Sequence, residues 1–157
     1  MDFLAQLHPK IVHFPIALLS LYVFLEVIGV LFKKDFFSKT AHLVLFFGVI
    51  AALIAVLTGN QAEDVAHAWS KLGANINLDA IETHSTYANI TLWFFTGLLI
   101  IRTFLTIKKK FTGAIKYFIA VLAIIGFFFI YQTGHYGGKL VYEYGIGTQL
   151  KKMEIKK

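Results

Sequence analysis

Four long apolar runs dominate this sequence and decide what kind of fold it can adopt. They cover residues 11–32, 41–59, 90–107 and 114–133. Each holds about twenty residues, the number that a helix needs to cross roughly 30 Å of hydrocarbon. Because a bilayer offers the backbone no water, an open chain crosses it only as helix. The sequence therefore predicts an all-α fold, a four-helix transmembrane bundle, as a single membrane domain over residues 1–157.

The composition supports the membrane class and excludes several others. Hydrophobic residues make up 57% of the chain and charged residues only 15%, which a soluble domain of this length could not bury. The chain has no cysteine, which excludes disulfides, covalent c-type haem and cysteine-held iron–sulfur clusters. Its net charge of +6 comes largely from lysines that flank the apolar runs, without the aromatic interleaving of a nucleic-acid surface. We therefore expect contact with lipid and none with nucleic acid.

The polar linker between the second and third runs, residues 60–89, still carries helix signals. Gly73 is typical of a helix end, and either Asn77 or Asp79 is typical of a helix start. These signals predict that helices two and three extend beyond the membrane as a hairpin with its tip near residues 73–77.

The two other connections are short and rich in lysine, which predicts that they lie in the cytoplasm. Both chain termini and the hairpin tip then lie outside. Beyond the fourth run, Gly137 and Gly138 allow close backbone approach, and we expect this segment to fold back over the outer end of the bundle.

Two charged residues lie inside apolar runs. Glu26 belongs to the first run and Arg102 to the third, each a similar distance from the cytoplasmic end of its helix. A lone charge at such depth is costly, so partners are expected. We interpret them as a structural ion pair that fixes helix packing, because one pair makes no relay across a membrane.

The ion pair also predicts where two histidines lie. His8 precedes Glu26 by eighteen residues, and His84 precedes Arg102 by the same number. Eighteen residues make five full helical turns, or about 27 Å. If Glu26 and Arg102 face each other, His8 and His84 face the same interior at the same level.

Five of the six histidines fall at one side of the predicted membrane, and only His42 falls at the other. The five are His8, His13, His67, His84 and His135. Neutral imidazole is the commonest protein ligand for metals and for haem iron. This convergence predicts a bound cofactor near the outer boundary.

Haem b is the favoured cofactor, in one or two copies, because aromatic residues flank the histidines. These are Phe14, Tyr87, Trp93, Phe95 and Tyr131. We predict bis-histidine ligation by His84, opposed by His13 or His8. His67 and His135 are candidates for a second haem or for propionate contacts. Copper or zinc, held by three or four of the same imidazoles, is the alternative.

The opening phrase His8-Pro9-Lys10-Ile11-Val12-His13-Phe14-Pro15 resembles that of a bacterial family of predicted four-helix membrane proteins of unknown function. Later marks are also similar: Gly59 followed by Asp64, His84 with Asn89, Arg102, and a Gly-Gly-x-Leu-Val-Tyr phrase at residues 137–142 followed by Gly145 and Gly147. The resemblance covers nearly the whole chain. It implies a bacterial inner membrane, and family fusions to Rieske or cytochrome c domains imply a redox partner of that type.

The leading functional hypothesis is a small membrane b-type cytochrome that passes electrons at the outer face. A histidine-rich copper- or zinc-binding protein and a cofactor-free structural subunit of a respiratory complex are the alternatives. An electron carrier is favoured over a catalyst, because no nucleophile–base arrangement or phosphate-binding loop stands out.

Overall fold

A computed structural model describes residues 2–146, and the described chain is helical with no strand. Its helices are α1 (Asp2–Ile11), α2 (His13–Leu31), α3 (Asp35–Lys71), α4 (Leu78–Ile107) and α5 (Ala114–Tyr142). Four helical stretches are long and apolar enough to cross a membrane: Phe3–Leu31, Asp35–Lys71, Leu78–Ile107 and Ala114–Tyr142. The prediction of an all-α, four-span membrane protein is confirmed.

The first span is interrupted only at Val12, between α1 and α2. Pro15 has no N–H to donate to the carbonyl of Ile11, which explains why the helix is broken there. Val12 keeps helical dihedral angles, and its N–H donates to the carbonyl of His8 at 3.1 Å. The helix that carries His8 therefore begins well before residue 11, where the apolar run begins.

The predicted hairpin between the second and third spans is present. Since a helix rises about 1.5 Å per residue, the 37 residues of α3 far exceed one membrane thickness. The turn contains Gly73, whose φ of +91° suits glycine, and α4 begins where the Asn77 side chain accepts from the N–H of Ala80 at 3.0 Å. The second and third spans, α3 and α4, thus extend beyond the membrane, as expected.

The glycine-rich segment after the fourth apolar run does not fold back, and this prediction was wrong. Helix α5 continues through Gly137 and Gly138 to Tyr142. Leu140 then packs with Ala66 of α3 and Ile81 of α4 in a small apolar cluster near the hairpin. Gly137 serves close packing between helices, and neither glycine forms a turn.

The four spans form a closed ring in the order α2, α3, α4, α5 and back to α2. In the described chain, α4 has no Cα atom within 8 Å of α1 or α2, so the first and third spans are diagonal to each other. Tyr22 and Phe95 meet edge-on at the bundle centre, with ring centroids 6.0 Å apart. Any contact between the first and third spans must therefore cross the bundle interior through long side chains.

The outer surface of the bundle is apolar along the spans. Large side chains such as Phe24, Ile100, Phe118 and Ile124 are more than half exposed there. Such a surface is stable only against lipid, so this multi-pass membrane protein contacts the hydrocarbon directly.

Candidate functional site

His8 and His84 meet across the bundle interior. Their ring centroids lie 6.4 Å apart, with an angle of 68° between the ring planes. His8 comes from α1 and His84 from the diagonal helix α4. The structure thus brings together the two histidines that the eighteen-residue spacing predicts to be level and interior.

The imidazole of His8 is held by α3. Its Nδ1 lies 3.0 Å from the carbonyl oxygen of Ala55 and 3.1 Å from Oγ1 of Thr58. A carbonyl oxygen only accepts, so Nδ1 of His8 carries the hydrogen. The Thr58 hydroxyl donates in turn to the same Ala55 carbonyl at 2.9 Å. These contacts fix both the orientation and the tautomer of His8.

The imidazole of His84 is held in the same way by α5. Its Nδ1 donates to the carbonyl oxygen of Thr133 at 3.1 Å. The hydroxyl of Thr133 also shares a hydrogen bond of 2.8 Å with Thr91 of α4, which ties the two helices together beside the histidine. In both imidazoles the hydrogen sits on Nδ1, so Nε2 keeps its lone pair free, as a ligand to a metal centre requires.

Each histidine ring lies on a glycine of the helix that holds it. A Cβ at Gly59 would stand 2.9 Å from Cε1 of His8, and one at Gly137 would stand 3.0 Å from Cε1 of His84. Any larger residue would displace the imidazole. These glycines are therefore needed where they are for close packing, which explains why α5 runs straight through Gly137.

An acidic side chain lies near the pair. The carboxylate of Glu63, on the extension of α3, is near enough to His84 to favour a positive charge at that ring. It also lies 3.9 Å from Nε2 of His67, one turn further along the helix. The site thus has one negative charge available to stabilise a positive one.

The three other predicted ligands do not join the pair. His13 and His67 are exposed, and His67 has Glu63 as its neighbour. His135 is exposed on α5, where it stacks on Tyr131 with ring centroids 6.0 Å apart. Among the described residues there is no group of three or more histidine, aspartate or glutamate side chains arranged to hold a metal ion.

Most of the aromatic residues that we expected to flank the histidines lie elsewhere. Phe14, Trp93 and Tyr131 lie on the outer surface, 64%, 68% and 61% exposed, and Phe95 lies in the core against Tyr22. Only Tyr87, which stacks on Tyr136 at 5.0 Å, lies between helices near the pair. Because these helices are apolar on every side, the sequence did not show which face each aromatic residue would take.

Glu26 and Arg102 form an ion pair across the same diagonal, deeper in the bundle. Both side chains are 1% exposed. Arg102 also donates through Nη2 to the carbonyl oxygen of Ser38 at 2.6 Å and to its hydroxyl at 3.2 Å. The predicted structural pair thus bonds the first span to the third and reaches the start of α3.

His42 lies apart from the other histidines, as predicted, and bonds through Nε2 to the hydroxyl of Thr103 at 3.0 Å. The residues that sequence reasoning missed are the anchors, Thr58, Thr133 and the carbonyl of Ala55. The available signal was a threonine at the outer end of an apolar run with a glycine directly after it or one turn further on: Thr58 precedes Gly59, and Thr133 precedes Gly137 by four residues.

A family model described as Predicted membrane protein (DUF2231) matches residues 5–150, and the chain belongs to this family. No curated protein and no solved structure matches the chain significantly. The family description names no ligand or reaction, so the paired histidines carry the functional argument.

Proposed function

We propose that this DUF2231 protein is a small membrane b-type cytochrome, an electron carrier in which His8 and His84 would hold one haem b. The observation that carries the proposal is the pair itself. Two imidazoles from diagonal helices have centroids 6.4 Å apart, and each has its Nδ1–H bonded to a backbone carbonyl. Two histidines that hold one haem between helices would come from different helices, and this pair does.

The two rings are close enough for both to hold one haem. Their centroids lie 6.4 Å apart, and each ring is anchored through Nδ1, so Nε2 is the nitrogen that would bind the iron.

The hydrogen bonds to Nδ1 support the same role. A ligating imidazole usually donates its other N–H to a carbonyl or carboxylate, which fixes the ring and raises the basicity of the ligating nitrogen. The carbonyls of Ala55 and Thr133 do this for His8 and His84. No hydrogen bond from a protein group reaches either Nε2 within residues 2–146, so this nitrogen is the one available to bind iron.

The geometry supports one haem and not two. His13, His67 and His135 are separate from the pair and from one another, so no second pair of opposed imidazoles is formed in the described chain. When bound, haem b supplies a one-electron couple. The protein contributes the ligands, the apolar bundle around them and the Glu63 charge, which favours the ferric state.

The position of the pair fits transfer to a partner outside the hydrocarbon. His8 and His84 stand about five helical turns from the Glu26–Arg102 pair, toward the end with the α3–α4 hairpin. With the lysine-rich loops in the cytoplasm, this end faces the outside of a bacterial inner membrane. A cytochrome c or Rieske-type domain is the proposed partner, following the resemblance noted above.

The test is the visible spectrum of the full chain, purified after expression with ample haem. We expect one haem per chain with a low-spin spectrum and a sharp reduced α band. His8→Ala and His84→Ala should each abolish that spectrum, whereas His13→Ala, His135→Ala and His42→Ala, as matched controls, should retain it.

Other outcomes reject the proposal in distinct ways. A colourless protein with stoichiometric copper or zinc would favour a metal-binding protein. A protein with neither haem nor metal would favour a cofactor-free structural subunit. A low-spin spectrum that survives both His8→Ala and His84→Ala would reject this ligand pair.

A further inference from the structure

We propose that a groove at the end of the bundle opposite the histidine pair binds one anionic phospholipid, headgroup at its mouth and acyl chain along its floor. The groove has a volume of about 1130 Å³ and lies between α3 and α4, closed by the start of α5. It is independent of the histidine pair and of the function proposed above.

The mouth of the groove is basic. Lys39, Lys109 and Lys116 line the groove with Arg102, which is paired with Glu26, and Asp35 is the acidic residue of the lining. Lys116 lies 3.4 Å from Asp35 and forms an exposed ion pair with it. Lys39 and Lys109 are exposed and have no ion-pair partner within residues 2–146. Two free positive charges therefore face whatever enters the mouth.

The floor of the groove is apolar and leads away from the lysines toward the middle of the spans. Leu43 and Phe46 follow Lys39 on one face of α3, about 10 Å along the helix. Ile100 and Phe104, one turn apart on α4, form the facing wall. All four side chains are 46–64% exposed, so the floor is open to a chain that lies along it.

This combination selects a lipid over a soluble anion. A phosphate ion could use the lysines but not the apolar floor, whereas an anionic phospholipid uses both at once. Basic pockets between transmembrane helices are typical sites for anionic headgroups, and each lysine near such a headgroup strengthens binding roughly fivefold. A zwitterionic lipid would gain little from the two free lysines.

The experiment measures lipid binding to the full chain in neutral detergent, by native mass spectrometry and by the shift in melting temperature. The probes are phosphatidylglycerol, phosphatidylcholine of the same acyl chains, and inorganic phosphate. We expect the wild type to prefer phosphatidylglycerol. The double variant Lys39→Gln with Lys109→Gln should reduce that preference by about 25-fold, because each lysine contributes a factor of about five and the two factors multiply.

The matched control is Lys34→Gln with Lys110→Gln. Lys34 and Lys110 are exposed at the same end of the bundle and carry the same charge, but they do not line the groove. We expect this control to keep the wild-type preference. All four positions are exposed, so both variants should fold.

Three results would overturn the proposal. Equal loss in the two double variants would assign the preference to general surface charge. Equal binding of phosphatidylglycerol and phosphatidylcholine would show that the lysines select nothing. Stabilisation by inorganic phosphate as large as that by phosphatidylglycerol would mean a site for a free anion.

Discussion

Replacing only one residue of the Glu26–Arg102 pair should lower the unfolding free energy far more than replacing both residues. Both side chains are 1% exposed in the interior of an apolar bundle, beside the start of α3. With Glu26→Leu alone, the Arg102 charge stays buried without its counter-ion, and with Arg102→Met alone the carboxylate does. Each single change should cost about 3–5 kcal/mol of unfolding free energy.

The double variant, Glu26→Leu with Arg102→Met, leaves no buried charge. Its remaining cost is the loss of the bonds from Arg102 to the Ser38 carbonyl and hydroxyl, about 2 kcal/mol for a charged donor. The two single costs add to roughly 6–10 kcal/mol. The expected coupling between the two positions is therefore on the order of 4 kcal/mol or more.

The measurement is equilibrium unfolding in mixed micelles of sodium dodecyl sulfate and a mild detergent, followed by circular dichroism. Tyr22→Phe is the matched control, because the buried Tyr22 hydroxyl has no hydrogen-bond partner within residues 2–146. Its removal should change the unfolding free energy by less than about 1 kcal/mol. A double variant that loses as much as the two single variants combined would refute the reasoning.

Three further predictions follow from the histidine site and the topology. Gly137→Ala should displace the His84 ring, because the added Cβ would lie 3.0 Å from Cε1 of His84, and should lower the haem content. Gly138→Ala is the control, because its Cβ would enter open space, and it should leave the haem content unchanged. Equal effects of the two changes would contradict the packing argument. Glu63→Gln should raise the midpoint potential of the haem by roughly 40 mV, because about 1 kcal/mol of charge interaction with the ferric state is lost. A lowered midpoint potential would contradict this prediction. A cysteine at exposed Thr112 should react with an impermeant thiol reagent only in inverted vesicles, and labelling in intact cells would reverse the proposed orientation.

The sequence predicted the features that depend on length and helical period. Apolar runs of membrane-spanning length predicted the four spans, and the turn residues Gly73 and Asn77 marked the hairpin tip. His8 precedes Glu26 by as many residues as His84 precedes Arg102, and this equal spacing predicted that His8 meets His84 if Glu26 meets Arg102. These inferences succeed because a helix converts residue number directly into height and rotation.

The features that depend on contacts between helices were not predictable. Which of His8 and His13 would oppose His84 depends on how α1 rotates against α3, and the Ala55 carbonyl that holds His8 has no side-chain signature. Two neighbouring glycines, Gly137 and Gly138, fit either a turn or close packing between helices. The sequence does not show that the His84 ring packs on Gly137. Trp93 and Tyr131 face outward because apolar helices carry no strong stripe that marks the interior.

Each of the two imidazoles is hydrogen-bonded to the span that follows its own, and this has a consequence for the biogenesis of the protein. His8 belongs to the first span but is held by the second, and His84 belongs to the third but is held by the fourth. The residue that completes the arrangement, Thr133, is synthesised 125 positions after His8. A ribosome-bound chain with three inserted spans would have both rings but only one of them oriented. Any group that requires both must therefore enter after the last helix has been released into the membrane.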